Sequence, residues 1–179
     1  MSTAPRGSIL FRYVPGVGRV AAVECGTSPT ATCASAISTV DQTLNAGTAA
    51  NVAHDTVVLA YGIQVNTGAN SSFVVPVAGV YKLIPSFQYL AGGNESLTIW
   101  IKVNGVNVPN SATTTLMKNN EEGIVTTEYL LELLAGDSVQ VWAISTGAAT
   151  IVNYIAAGGL GANAYPAAPG VITNMYRIR

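Results

Sequence analysis

The sequence predicts an all-β fold of sandwich or barrel type, arranged as one domain. Three observations carry this expectation. Short runs rich in β-branched and aromatic residues recur along most of the chain, bounded by Gly, Asn or Ser. In residues 97–103 alternation is strict: Leu97, Ile99, Ile101 and Val103 fall on one face, and Thr98, Trp100 and Lys102 on the other. The length of 179 residues suffices for a single sizeable core and is short for two.

Taken in order, strands are expected at residues 36–40, 56–65, 73–77, 80–90, 96–103, 124–134, 138–144, 150–155 and 171–178. Asn104-Gly105 is a strong two-residue hairpin signal, and Gly79 and Gly136 supply freedom for tight turns. Residues 121–135 pull two ways. Glu128 through Leu134, followed by Gly136, are good helix formers with a helix-ending glycine. Against helix stand the β-branched run Ile124-Val125-Thr126-Thr127 and the hairpin-like passage through Gly136-Asp137 into Val139-Gln140-Val141-Trp142, and the strand reading is the one adopted. The expected core includes Leu97, Ile99, Ile101, Leu131, Leu133, Val139 and Val141.

Residues 1–33 have a different texture, with Pro5, Pro15, Pro29 and scattered glycines, and read as an extended N-terminal arm ahead of a domain at residues 34–179. Ile9, Leu10, Phe11, Tyr13 and Val14 are apolar residues that a sandwich does not need, and Arg6, Arg12 and Arg19 add local positive charge. Such an arm is expected to dock on another subunit, because its ordering entropy is offset only on assembly.

Composition narrows the function. Charged residues make up 9% of the chain, with a net charge of -1, against roughly 25% charged in an ordinary soluble domain. Hydrophobic content is 49% and mean hydropathy +0.39. A surface so poor in charge tends to associate. It offers no basic footprint for nucleic acid, and the apolar content argues against disorder. Residues 138–176 carry no charge, but Gln140, Asn153, Gly158, Gly159 and Pro166 interrupt them, so no membrane span is expected. Arginines spread through the first twenty residues leave no apolar stretch of the kind a secretory signal has.

Chemistry-bearing residues are sparse. Cys25, Cys33 and His54 are too few for a structural zinc site, and the two cysteines fit either a small disulfide loop or free thiols. Gly16-Val17-Gly18-Arg19-Val20-Ala21 imitates a dinucleotide fingerprint, yet no amphipathic helix follows. His54-Asp55 suggests part of a hydrolase triad, but adjacent strand residues point to opposite faces, so a surface or turn histidine is the expectation. Glu128 and Glu132 share a strand face and read as solvated carboxylates. No catalytic, cofactor or metal residue emerges. Among the aromatics, which serve both carbohydrate platforms and subunit interfaces, Trp142 and Tyr176 are the expected partner-facing pair.

Three segments, Phe73-Val74-Val75-Pro76-Val77-Ala78-Gly79-Val80-Tyr81, then Lys102-Val103-Asn104-Gly105, then Leu131-Glu132-Leu133-Leu134-Ala135-Gly136-Asp137-Ser138-Val139, occur in an order that resembles the tumour necrosis factor and complement globular-head jelly-roll superfamily. The resemblance covers roughly residues 35–179. Residues 99–111 and 169–173 look closest to a variant found in structural proteins of viruses and phages. The resemblance implies a jelly-roll sandwich of two antiparallel sheets, a homotrimer whose inner sheet lines the threefold axis, and no enzymatic activity. It further implies a virion structural protein, a minor capsid component partnered by itself and by other capsid proteins. A trimeric receptor- or glycan-binding module of a fibre is the alternative.

Overall fold

The computed structural model describes residues 10–14 and 18–22 by their backbone pairing, and residues 32–147, 150–158 and 164–179 in full. Among the described residues all regular structure is β-strand. In chain order the strands are β1 (Leu10–Val14), β2 (Gly18–Ala22), β3 (Cys33–Ser38), β4 (Gln42–Leu44), β5 (Ala50–Asn51), β6 (Thr56–Tyr61), β7 (Gln64–Asn66), β8 (Ser72–Val74) and β9 (Gly79–Leu90). There follow β10 (Glu95–Val103), β11 (Val106–Asn107), β12 (Thr113–Met117), β13 (Glu122–Thr126), β14 (Tyr129–Leu133), β15 (Ser138–Ser145), β16 (Thr150–Val152) and β17 (Val171–Arg177).

Two antiparallel sheets form the sandwich. Sheet one runs β6-β3-β17-β9, with β14 and β13 in tandem along the far edge of β9, and β16 with β4 continuing beyond the end of β17. Sheet two runs β7-β8-β15-β10, with β12 and β11 on the outer edge of β10 and β5 against β15. Alternate residues of each strand point between the sheets. Tyr81, Leu83, Phe87 and Tyr89 from β9 meet Leu97, Ile99 and Ile101 from β10 and Val139, Val141 and Ala143 from β15, all buried. Leu131 and Leu133 are buried as well, so the core expected from alternation is the core observed.

Residues 121–135 form β13 and β14, not helix, because both strands find a ladder partner in β9 and packing overrides propensity. The break between them has a cause in β9. Pro85 accepts from the Thr127 N–H at 3.1 Å, so its own nitrogen faces the same side with no hydrogen to donate. A continuous partner strand would leave a carbonyl unpaired there. The long run expected at 56–65 is also split, by Gly62 at φ 74°, where the chain leaves sheet one as β6 and enters sheet two as β7. A side chain at Gly62 would be strained there and would meet Thr32.

Asn104 and Gly105 adopt φ 52° and 79°, as the hairpin signal required, and Gly136 sits at φ 89°. Gly79 needs correcting: it has no positive φ, and is glycine because a side chain there would strike the backbone oxygen of Arg179 and the Arg177 guanidinium. The short strands β4, β5, β11 and β12 were not expected from the sequence. Residue 33, expected in the arm, is the first of β3, and Thr32 already accepts from the Arg177 N–H at 2.9 Å.

Within the arm, β1 and β2 pair antiparallel, Leu10 opposite Ala22 through Val14 opposite Gly18, as a two-stranded sheet of their own. The intervening sequence carries Pro15 and Gly16, which favour reversal. Ile9 lies outside the described residues, as does Cys25. Cys33 is buried and disulfide-bonded.

Ile99→Ala should cost about 2–5 kcal/mol in urea unfolding, the range for emptying a packed aliphatic site. Leu116→Ala, at a side chain 83% exposed, should change stability by less than about 0.5 kcal/mol. Equal costs would show that the strand faces are assigned wrongly.

Candidate functional site

His54 is not the surface histidine expected; it is 1% exposed and sits between the sheets. Its Nε2 lies 2.8 Å from Thr173 Oγ1 of β17 in sheet one, and its ring packs edge-on against Phe73 of β8 in sheet two, centroids 5.6 Å apart. The backbone holds it from two directions: its N–H donates to Ser71 Oγ at 2.7 Å, and its carbonyl accepts from the Gly68 N–H at 2.8 Å. Nδ1 is buried with no hydrogen-bond partner. Burial, the dominant influence, pushes its pKa down to about 4, against smaller raising effects from Asp55 and the Val52 backbone. The ring is thus neutral near pH 7.

Asp55 faces away, as strand alternation implies. It accepts from the Thr39 N–H at 2.7 Å and from the hydroxyls of Thr39 and Thr56 at 3.0 and 2.7 Å. Burial pushes its carboxyl up, but these hydrogen bonds, with the charge on His54, bring it below its ordinary value. No nucleophile, histidine and carboxylate come together here, and the His54–Thr173 pair has no access to a substrate because Thr173 is fully buried. Glu128 pairs with Lys82 at 2.6 Å on the outside of sheet one and holds the ammonium above its usual pKa. Glu132 is exposed on the same side of β14. Among the described residues no cluster of three or more His, Cys, Asp and Glu is placed to hold a metal.

What remains is the two outer faces, and they differ in chemistry. On sheet one apolar and polar side chains alternate: Val80 and Ile84 of β9, Ile172 and Tyr176 of β17, Leu130 of β14 and Ile124 of β13 are interspersed with Lys82, Ser86 and Gln88 of β9, Asn174 of β17 and Glu132 of β14. Leu130 is 64% and Ile124 69% exposed. Large apolar side chains this exposed on one face suit it to burial against another surface. On sheet two the outward residues are Ser96, Thr98, Trp100 and Lys102 of β10 facing Gln140, Trp142 and Ile144 of β15. That face is polar with an aromatic pair at its centre.

Of the residues expected to face partners, Tyr176 lies on the outward face of sheet one and Trp142 on that of sheet two, so the structure separates them by the thickness of the sandwich. The sequence reading missed Ile84, Ile172 and Leu130. For Ile84 a signal was present, since residues 80–90 place Val80, Ile84 and Leu90, alternating with Lys82, Ser86 and Gln88, opposite the core-facing set.

These two sheets, their order and the central place of β9 define the class: the fold is the jelly roll of tumour necrosis factor and complement globular domains. The globular domain of zebrafish complement 1qA superposes with a TM-score of 0.52 at 17% identity, covering 83% of this chain and 97% of that one. Murine APRIL gives 0.53 at 12% identity, covering 82% and 98%. At such identities the likeness shows the fold. No protein-family model matches the chain, and no curated protein sequence does. Among the described residues no helix is long and apolar enough to cross a membrane.

The buried neutral His54 makes stability depend on pH. Its folded pKa of about 4 lies below the unfolded 6.5, so its contribution is complete above pH 6.5 and falls away as pH drops through 4. The loss should approach about 3 kcal/mol at about 1.4 kcal/mol per pKa unit. As the chain has one histidine, a single ring resonance should titrate near pH 4 by NMR, and His54→Phe should lose less stability between pH 6.5 and 4 than the parent. A resonance titrating near 6.5 would contradict this.

Proposed function

We propose that this chain is a non-catalytic structural subunit that closes into a homotrimer through the outward face of sheet one, and that it serves as a minor capsid component of a virion. The observation that carries the trimer is the outward apolar side chains Ile84, Ile172 and Leu130 on one face, in a chain with only 9% charged residues. In a threefold ring one patch meets a different patch of the next copy. The broad face of sheet one and its edge at β13 and β14 are two such patches, lying side by side. Exposed apolar side chains at Ile124 and Leu130 suit that edge to burial against a neighbour's face.

The virion placement rests on the resemblance of residues 99–111 and 169–173 to viral and phage structural proteins, and on the arm. In the arm β1 and β2 pair with each other, and a second subunit is engaged through the arm's apolar residues Ile9, Leu10, Phe11, Tyr13 and Val14. Localisation in a particle, other capsid proteins as partners and the absence of a cofactor belong to the same reading.

Sedimentation at micromolar concentration should give three times the 18.4 kDa of the chain, and Ile84→Asp should give a folded monomer with an unchanged circular dichroism spectrum. A stable wild-type monomer counts against the trimer. For the arm, Phe11→Asp combined with Tyr13→Asp should leave the domain folded and trimeric but absent from purified particles, in which the parent chain is found at fixed stoichiometry. Normal incorporation of the double variant would remove the arm from the account.

A further inference from the structure

The polar outer face of sheet two takes no part in the assembly reading, and its centre is unusually ordered. Trp100 of β10 and Trp142 of β15 are directly opposed, with ring centroids 6.2 Å apart and planes at 35°. Each indole N–H is already satisfied by a neighbouring amide oxygen: Trp100 donates to Asn107 Oδ1 at 2.9 Å and Trp142 to Gln140 Oε1 at 3.3 Å. Lys102 Nζ lies 3.6 Å from the Trp142 ring centroid and covers that ring. Beside Trp100 is a depression of about 290 Å³ lined by Trp100, Asn107, Val108, Asn110, Ser111 and Ala112. Ser111 is buried, its hydroxyl donating to the Val108 carbonyl at 2.8 Å and accepting from the Ile101 N–H at 3.2 Å. The hydrogen-bonding capacity left at the rim belongs to the amides, namely the Asn107 NH₂, whose oxygen serves the indole, and Asn110.

We infer that this depression binds a single pyranose ring of an uncharged glycan. Trp100, with its N–H occupied, offers an apolar π surface, which the C–H face of a sugar can cover without leaving a polar group unpaired. The amides of Asn107 and Asn110 provide neutral donors and acceptors at the edge, where ring hydroxyls project. The lining holds no charged side chain, so nothing in it selects a phosphate, a carboxylate or a basic peptide. At about 290 Å³ the depression falls just below the roughly 300–1,000 Å³ typical of ligand sites, which limits it to one ring. Asn110 is held at φ 59°, fixing the turn that forms one wall. The site shares no residue with the outward face of sheet one, so it stands or falls separately from the trimer.

The chain's two tryptophans both lie on this face, so intrinsic fluorescence reports on it directly, and in Trp142→Phe the signal comes from Trp100 alone. The intact protein and that variant are titrated with the methyl pyranosides of glucose, galactose, mannose and N-acetylglucosamine. At least one should give a saturable change in Trp100 emission. By calorimetry with the same glycoside, Trp100→Ala should abolish binding and Asn107→Ala should weaken it by about tenfold, the effect of one lost hydrogen bond. Asn110→Ala, at an exposed turn, carries the test should Trp100→Ala fail to fold. No saturable response to any of the four sugars would overturn the inference, as would undiminished binding in both Asn107→Ala and Asn110→Ala. Emission that follows protein concentration alone would also overturn it, by showing that a second copy covers this face.

Discussion

The structure depends on one strand being paired along both of its edges. β9 is twelve residues long, and β17 follows one edge from Tyr81 to Phe87 while β14 and β13 follow the other from Gly79 to Leu90. Three segments distant in sequence are brought to one strand, which fixes the order of sheet one and the direction of its faces. Because side chains alternate, the same strand that commits Tyr81, Leu83, Phe87 and Tyr89 to the core commits Val80, Ile84 and Leu90 to the outside. A shift of register by one residue would exchange the two sets. Pro85 adds a local condition, since the β13–β14 break stands where it has no N–H to give.

From that strand the two outer faces acquire separate characters. Sheet one presents exposed aliphatic side chains interspersed with Ser86, Gln88, Asn174 and the Lys82–Glu128 pair, and the aliphatic ones are covered by water at a cost unless another protein surface covers them. Sheet two presents hydroxyls, amides and a tryptophan pair whose polar groups are largely satisfied within the face. His54 joins the sheets inside, with a hydrogen bond to one and a ring contact to the other. It is a structural residue, whose neutral ring belongs to the packing between layers.

Much of this was legible in the sequence, for identifiable reasons. Alternation at 97–103 fixed the inward set of β10, and Asn104-Gly105 announced its turn, because both are local consequences of backbone geometry. The features that escaped depend on distant partners. β5 and β11 exist as two-residue pairings with β15 and β10, too short to leave a pattern. His54 looked like a turn residue because nothing nearby in sequence shows Thr173 and Phe73 closing over it. Gly79 looked like a turn glycine, whereas its constraint comes from the far end of the chain at Arg177 and Arg179. The outward patch was visible only as apolar residues on both faces of 80–90, and Trp142 and Tyr176 were grouped by residue type where the fold puts them on opposite sheets.

In the proposed homotrimer another copy of this chain covers the outward face of sheet one. Hydroxyl-radical footprinting of the native protein compares two leucines of similar intrinsic reactivity: Leu130 on β14, 64% exposed in the single chain, and Leu116 on β12 of sheet two, 83% exposed. Leu130 should be labelled several-fold less than Leu116 in the wild type, and the two should approach parity in protein diluted until the assembly dissociates. Equal labelling of Leu130 and Leu116 in the undiluted native protein would contradict the homotrimer.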